Sequence, residues 1–168
     1  SEKLIIDDLI KMTDSMIHRG PDGEGYEMYN NDTLGFGHRR LSILDLSEAG
    51  KQPFNYLERY SITYNGEVYN FLEIKEELKL KGYKFKTTSD TEVIIAAYHE
   101  FGKACLTKFN GMWAFAIWDK QTQELFLARD RFGVKPLHYC YKPNQLFAFA
   151  SETIAFKYLK NYKRTFNT

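Results

Sequence analysis

Apolar residues recur at intervals of three and four along three segments of the chain. In the first segment Leu4, Leu9 and Met16 would share one face of a helix, which is the pattern of a surface helix packed on a core. Each segment also begins or ends at a residue suited to a helix end. The predicted helices are Ser1–Ile17, capped by Ser1; Phe71–Lys81, ended by Gly82; and Thr91–Phe101, capped by Asp90.

Short runs rich in aromatic and β-branched residues, separated by polar turns, predict strands in the rest of the chain. The sequence Asn30-Asn31-Asp32 is a polar turn of hairpin length between the first two strands. Before them, the segment His18–Gly25 is rich in Gly, Pro and Asp and is predicted to be an irregular loop. The last four strands follow one another closely and predict an antiparallel meander. The predicted strands are Tyr26–Tyr29, Leu34–Leu41, Arg59–Tyr64, Met112–Trp118, Glu124–Arg129, Leu137–Tyr141 and Leu146–Ala150.

This order of elements, with strands early and late and helices between them, indicates an α+β fold. A chain of 168 residues, 43% hydrophobic and 16% aromatic, can bury a dense core. No repeat, low-complexity tract or linker interrupts it before a polar tail after Leu159. We therefore expect a single domain over residues 1–168.

The balance of charge excludes several classes of partner. Lys and Arg total 23 and Asp and Glu total 22, so no field of one sign would attract nucleic acid or an anionic membrane. No apolar stretch is long enough to span a membrane, and the charged start does not resemble a signal peptide. Two cysteines, Cys105 and Cys140, give no disulfide framework and are each expected to be a buried small hydrophobe. We expect a cytoplasmic protein.

Five blocks combine polar side chains with Gly or Pro in a way that core packing does not require. Together, in this order and spacing, they resemble the class II glutamine amidotransferase domain of glutamine-hydrolysing asparagine synthetases. The resemblance covers nearly the whole chain. It implies an N-terminal-nucleophile hydrolase fold, a four-layer αββα sandwich of two antiparallel sheets between helices. The blocks are HRGPDGEG (His18–Gly25), HRRLSILD (His38–Asp45), YNGEVYN (Tyr64–Asn70), SDTEVI (Ser89–Ile94) and RDRFGVKPL (Arg129–Leu137).

The chemistry that this resemblance implies is hydrolysis of L-glutamine. An N-terminal Cys attacks the side-chain amide with its own α-amino group as general base, and the thioester is hydrolysed to glutamate, releasing ammonia. The reaction needs anchors for the substrate's carboxylate and ammonium and an oxyanion hole, but no cofactor in this domain.

Arg40 matches the family arginine that binds the glutamine α-carboxylate, a task suited to the two-pronged guanidinium. The alternative is a solvent-exposed arginine at a strand end. The neighbouring Arg39 is predicted to be a surface residue. The residues that would continue past the substrate and offer backbone groups to it are Leu41, Ser42, Ile43 and Leu44.

Asn65 and Gly66 match the family's oxyanion hole, which combines a side-chain amide N–H with a backbone N–H. The alternative is a type I′ hairpin turn, for which Asn-Gly is the strongest short signal. Glu67 and Asp90 match the carboxylates that hold the α-ammonium of glutamine. Asp90 could instead be a helix N-cap, and the two roles are compatible.

The remaining motif residues are interpreted as structural. The RDRFGVKPL block and Ser151-Glu152 are predicted to be fold elements that contact a following domain, with Arg129, Asp130 and Arg131 able to form an ion-pair network. The four histidines lie at no metal-ligand spacing, so we expect no metal site.

Compared with the family pattern, the sequence begins at the helix that follows the catalytic strand, so the nucleophilic Cys and that strand are not in it. Ser1 would lie a whole strand away from the oxyanion hole. If the strand is truly absent, the exposed sheet edge predicts self-association. The ATP-using synthetase domain, where ATP and Mg are expected, is also missing; it would be the partner that transfers ammonia to aspartate. The sequence is compatible with a homodimer and with a monomer.

Two hypotheses follow. The first is the glutaminase half of an asparagine synthetase, a ligase of asparagine biosynthesis, or of a relative that amidates another carboxylate. The second is a nucleophile-less amidotransferase-like domain that acts as a structural or partner-binding module. The complete set of substrate-binding residues favours the first.

Overall fold

The computed structural model describes residues 3–41, 51–160 and 162. The chain divides into two compact units, Ser1–Leu41 with Leu137–Thr168, and Ser42–Pro136. Each contains α-helix and antiparallel β-sheet, so the α+β class is confirmed. No helix in the described ranges is long and apolar enough to cross a membrane. The helices are α1 (Ile6–Asp14), α2 (Phe71–Leu80) and α3 (Asp90–Phe101). The strands are β1 (Gly23–Tyr29), β2 (Leu34–Arg40), β3 (Phe54–Tyr56), β4 (Tyr60–Val68), β5 (Gly111–Asp119), β6 (Glu124–Arg129), β7 (His138–Lys142) and β8 (Leu146–Ala150).

The predicted elements occur, with corrections at the N-terminal end. The first helix is predicted over Ser1–Ile17 but spans only Ile6–Asp14. It begins late because the Leu4 N–H donates a hydrogen bond to the carbonyl of Asp32, at 2.7 Å. Ser1, the predicted cap, lies outside the described residues. The last part of the predicted loop, Gly23–Gly25, already belongs to β1 because it pairs with the end of β2.

The first unit contains two hairpins and α1. In β2 the glycines face α1, and a Cβ on Gly37 would overlap the side chain of Thr13 and lie 3.4 Å from Leu9. Only glycine therefore lets the helix approach this strand so closely. The β7–β8 hairpin buries Ala148 and Ala150 around Phe156.

The predicted four-strand meander is wrong. β5 and β6 belong to one sheet, whereas β7 and β8 form a separate two-stranded sheet in the described chain. The break falls at Asp130, whose carboxylate binds the backbone N–H groups of Phe132, Val134 and Lys135 at 2.9–3.1 Å. A chain folded around its own carboxylate cannot continue as a paired strand.

The second unit is a four-stranded antiparallel sheet, in the order β3-β4-β5-β6, packed on α2 and α3. Successive side chains on a strand point to opposite faces, so alternate residues of β4 and β5 face the helices. Ile62, Val68 and Ile117 are fully buried there, against Ile94 of α3 and Leu78 of α2. This core fixes β4 and the start of α3 relative to each other.

Candidate active site

Asn65 and Gly66 lie inside β4 and not at a turn. In the antiparallel ladder Asn65 is opposite Ala114 and Gly66 is opposite Trp113, and pairing continues to Val68. A hairpin turn would require the two residues to connect two strands. The hairpin alternative is therefore wrong.

Gly66 occupies a position that requires glycine. Its φ is +154°, and a Cβ there would overlap the carbonyl oxygen of Met112 and lie 2.6 Å from the Cα of Trp113. Both the backbone angle and the contact with β5 exclude a side chain. A glycine inside a buried strand weakens the strand, so its presence marks a place where something must approach the backbone closely.

The N–H groups of alternate β4 residues point to the edge away from β5. The backbone of Trp113 binds Asp130 instead of Gly66, because its N–H donates to Oδ2 at 3.2 Å and its carbonyl accepts from the Asp130 N–H at 2.7 Å. Gly66 therefore belongs to a non-hydrogen-bonded pair of the β4–β5 ladder. On the same edge the N–H of Tyr64 donates to Gln52 Oε1 at 2.6 Å, and that of Val68 donates to Asp90 Oδ2 at 3.1 Å.

The Gly66 N–H lies between these two donors and faces the same edge. Within the described residues β3 covers this edge only as far as Ile62. A backbone N–H held at a fixed place in a rigid strand can stabilise a developing oxyanion.

Asp90 is the first residue of α3, not its cap. The N-cap is Ser89, whose hydroxyl accepts from the Thr91 N–H at 3.1 Å. The prediction of Asp90 as the cap was thus one residue late. Its carboxylate is free from capping and instead accepts from the Tyr64 hydroxyl at 2.7 Å and from the Val68 N–H.

Burial and the negative charges of Asp90 and Glu67 all influence the pKa of the Tyr64 hydroxyl. Burial raises the pKa of Tyr64, and the negative charges of Asp90 and then Glu67 raise it further. Asp90 thus binds the C-terminal part of β4, and Glu67 belongs to that same part of the strand, directly after Gly66. Such a pair of anions beside hydrogen-bond donors suits a ligand that carries an ammonium group.

The rest of the SDTEVI block fixes the approach to α3. Glu92 is buried, and its carboxylate accepts from the N–H groups of Lys86 and Thr87 and from the Thr87 hydroxyl, at 2.7–3.1 Å. The loop before the helix is thereby held to the helix itself, which positions Ser89 and Asp90.

Arg40 is the last residue of β2 and lies in the first unit, opposite Gly23 of β1. Its carbonyl accepts from the Asp22 N–H at 3.0 Å, so the HRGPDGEG and HRRLSILD blocks form one local structure. Arg40 shares a strand face with His38. Burial lowers the pKa of His38 to about 4, and the positive charge of Arg40 contributes.

Arg39 is not the surface residue that we predicted. Its side chain is only 7% exposed. Because it faces α1, its guanidinium binds Asp14 of that helix, Glu24 of β1 and the carbonyl of Gly20. This buried bridge satisfies the cation with several acceptors, which is what burial of an arginine requires.

The other predicted substrate contacts in the HRRLSILD block directly follow Arg40 in the chain. Leu41 is 54% exposed and directly follows β2. Ser42, Ile43 and Leu44 lie outside the described residues. The structure therefore brings together Asn65, Gly66, Glu67 and Asp90 within the second unit, while Arg40 and Leu41 belong to the first.

Hydrogen bonds to backbone groups hold the RDRFGVKPL block, and among the residues that the structure describes the predicted ion-pair network is not found. Arg129 donates to the carbonyls of Gly133 and Lys135, and Arg131 donates to that of Phe109 at 3.1 Å. Burial acts to raise the pKa of Asp130, but the backbone N–H groups that it accepts outweigh this and hold the pKa below its ordinary value. The block is a fold element, as predicted.

The other motif residues also have structural contacts. Glu152 Oε1 lies 3.1 Å from His18 Nε2 and 3.0 Å from Arg19 Nη1, which ties the start of the HRGPDGEG block to the end of the first unit. Cys105 is buried as predicted, and burial raises its pKa to about 12, whereas Cys140 is only half-buried. Across residues 3–41, 51–160 and 162, no group of three or more His, Cys, Asp or Glu side chains could hold a metal ion.

Two residues of the site region were missed from the sequence. Tyr64 lies inside a quoted block, and its position two residues before Gly66 on the buried face of a strand could have indicated a contact with the helix layer. The sequence gives no sign that Gln52 belongs to the site region. Its side-chain oxygen accepts from the Tyr64 N–H at the edge of β4, but the residue lies in a segment without regular structure.

The chain is similar to several known proteins. The model of the glutamine amidotransferase domain family matches residues 2–168. An asparagine synthetase (glutamine-hydrolysing) 1 of Bacillus subtilis is 49% identical over 87% of this chain and 23% of its own length. A putative asparagine synthetase (glutamine-hydrolysing) 2 of Methanocaldococcus jannaschii is 45% identical over 90% of this chain and 32% of its own length. The chain thus spans between 23% and 32% of the length of these two relatives.

Among solved structures, the glutamine phosphoribosylpyrophosphate amidotransferase of B. subtilis, in complex with ADP and GMP, superposes with a TM-score of 0.78. The match covers 94% of this chain and 41% of that chain, at 22% identity. At this identity the likeness concerns the fold, and it confirms the α+β fold of the N-terminal-nucleophile class that the sequence blocks implied.

Proposed function

Because this chain belongs to the glutamine amidotransferase domain family, we propose that it forms the substrate-binding part of a glutaminase that converts L-glutamine to glutamate and ammonia. The observation that carries the proposal is the edge of β4. The N–H of Gly66 faces that edge between two N–H groups that already have acceptors; the Asp90 carboxylate is one of these acceptors, and Glu67 is the next residue of the strand.

Each residue has one task in this mechanism. The Gly66 N–H and the Asn65 side-chain amide donate to the oxygen of the tetrahedral intermediate, where negative charge develops as the amide is attacked. Glu67 and Asp90 receive the α-ammonium, and Arg40 receives the α-carboxylate through two parallel hydrogen bonds. The nucleophile is the leading cysteine that the family resemblance implies, at the start of the mature full-length protein.

The test uses the full-length gene product and measures glutamate released from L-glutamine. We expect Asn65→Ala to lower kcat by roughly 10²- to 10³-fold with a small change in KM, since its contact forms in the transition state. Asn55→Ala is the matched control, because Asn55 is an exposed asparagine on β3 that contacts Lys120. Equal activity of the wild type and Asn65→Ala would refute the assigned role. Saturable glutamine binding by a wild type that releases no glutamate would support the nucleophile-less module.

We further propose that the ammonia is transferred to aspartate that a separate ATP-using domain of the same protein activates with ATP and Mg. The names of both asparagine synthetase relatives support this acceptor. In the presence of aspartate, ATP and Mg, the Asn65→Ala protein should form asparagine normally from added ammonia but roughly 10²- to 10³-fold more slowly from glutamine. Amidation of another carboxylate and not of aspartate would contradict the assignment.

We also propose a cytoplasmic location, which the two free thiols support. Mass photometry of the full-length protein tests whether it forms a homodimer.

A further inference from the structure

Tyr64 is a side chain of the proposed oxyanion strand that binds the proposed ammonium site directly. It directly precedes Asn65 on β4, and its hydroxyl donates to Asp90 Oδ2 at 2.7 Å. The ring is 5% exposed and lies in the core with Val68. Packing therefore fixes the position of the ring in the folded state. The hydrogen bond from its hydroxyl to Asp90 costs no further side-chain entropy.

The hydrogen bonds to Asp90 are unevenly divided between its two carboxylate oxygens. Oδ2 accepts both the Tyr64 hydroxyl and the Val68 N–H, at 2.7 and 3.1 Å. In the part of the chain that the structure describes, the hydrogen bonds of this carboxylate all go to Oδ2. The two donors thus fix the plane of the carboxylate and leave Oδ1 for a ligand.

We propose that Tyr64 is a positioning residue, which orients the Asp90 carboxylate so that Oδ1 receives the α-ammonium of glutamine. The inference rests on the proposed function, because it assumes that Asp90 binds this ammonium. Tyr64 then determines how strongly the site distinguishes an α-amino acid amide from a simple amide. It does not touch the reacting atoms.

The test is Tyr64→Phe in the full-length protein, which removes one hydroxyl and keeps the buried ring. We expect KM for L-glutamine to rise roughly three- to tenfold while kcat stays within about twofold, because a charge-assisted hydrogen bond that orients a ground-state contact is lost. The kcat/KM for 5-amino-5-oxopentanoate, which is glutamine without its α-amino group, should not change. A purely structural role would affect both substrates alike.

Tyr60→Phe is the matched control. Tyr60 lies on the same strand and the same face, is 3% exposed, and has its hydroxyl 3.1 Å from His99 Nδ1. Its substitution also removes a buried hydroxyl, but one without contact to Asp90, so it should leave KM for glutamine unchanged. Equal KM changes in the two variants would overturn the inference.

A double mutant gives a second test of the positioning role. In an Asp90→Asn background, Tyr64→Phe should add no further rise in KM, because the two residues act as a unit. Full additivity would overturn the inference while leaving the proposed glutaminase activity intact. A wild type without glutaminase activity would instead refute the proposed function itself, so the two failures are distinguishable.

Discussion

Two adjacent arginines in β2 have different surroundings because a strand turns successive side chains to opposite faces. Arg39 faces α1 and is buried among Asp14, Glu24 and the carbonyl of Gly20. Arg40 faces the other way, beside His38. The residue type is the same, but one is a structural bridge and the other is the proposed carboxylate anchor.

We predict that substitution to lysine separates these two tasks. Arg39→Lys should lower the free energy of unfolding by about 1–3 kcal/mol, because a single ammonium cannot replace the buried fork. Arg40→Lys should instead raise KM for glutamine by roughly tenfold or more. Thermal unfolding and glutaminase kinetics of both variants check this. A KM effect on Arg39→Lys larger than that on Arg40→Lys would contradict the assignment.

Gly66→Ala should abolish glutaminase activity and destabilise the fold, because a Cβ there meets both an unfavourable φ and the backbone of β5. Gly102→Ala is the control. Gly102 has a φ of +55°, but a Cβ on it would meet no atom within 4 Å. It should cost about 1–3 kcal/mol through the backbone angles alone, which are φ +55° and ψ −142°. Equal losses of stability in a denaturant titration would show that the contact with β5 is unimportant.

At the scale of elements, the features that follow from a periodic spacing of residues were predicted correctly, whereas those that depend on one local contact were not. The helices and most strands followed from the spacing of apolar residues, which reflects burial of one face. The start of α1 and the cap of α3 did not, since they depend on single hydrogen bonds such as those of Leu4 and Ser89. The site residues Asn65 and Gly66 were identified by family resemblance, because Asn-Gly alone favours the turn that the structure excludes.

The broken meander gives a prediction at this scale. Asp130→Asn should lower the free energy of unfolding by about 2–3 kcal/mol, because one amide oxygen cannot accept all the backbone N–H groups that the carboxylate binds. Asp32→Asn, in an exposed turn at a φ of +67°, should change it by less than about 0.5 kcal/mol. Urea unfolding monitored by tryptophan fluorescence checks the pair. A cost for Asp130→Asn as small as that for Asp32→Asn would refute the role of this carboxylate.

At the scale of the whole molecule, His38 and Asp119 are two of the described groups that make stability depend on pH. The pKa of His38 falls from 6.5 to about 4 on folding. Hydrogen bonds from Arg59, and then from the backbone N–H groups of Gln121 and Thr122, lower the pKa of Asp119 from 3.8 to about 2. Both groups are more easily protonated in the unfolded chain, so unfolding takes up protons below these ordinary values.

We therefore predict that stability falls in two windows on acidification from neutral pH, from pH 6.5 to about 4 through His38 and from 3.8 to about 2 with a contribution from Asp119. Each group contributes a slope of at most about 1.4 kcal/mol per pH unit. His38→Gln should flatten the upper window and leave the lower one. Urea midpoints between pH 7.5 and 3 check this, and an unchanged upper slope would exclude His38 as its source.

The alternation of Arg39 and Arg40 has a consequence for insertions and deletions. The β1–β2 hairpin closes through Asn30, Asn31 and Asp32, all at positive φ. If one residue were added there and the ladder slipped by one, every side chain of β2 would change faces, and Arg40 would point toward α1. Two added residues would restore the original faces. Relatives that keep both arginines in these tasks should therefore accommodate an odd change in length within the turn itself, without a slip of the β1–β2 ladder.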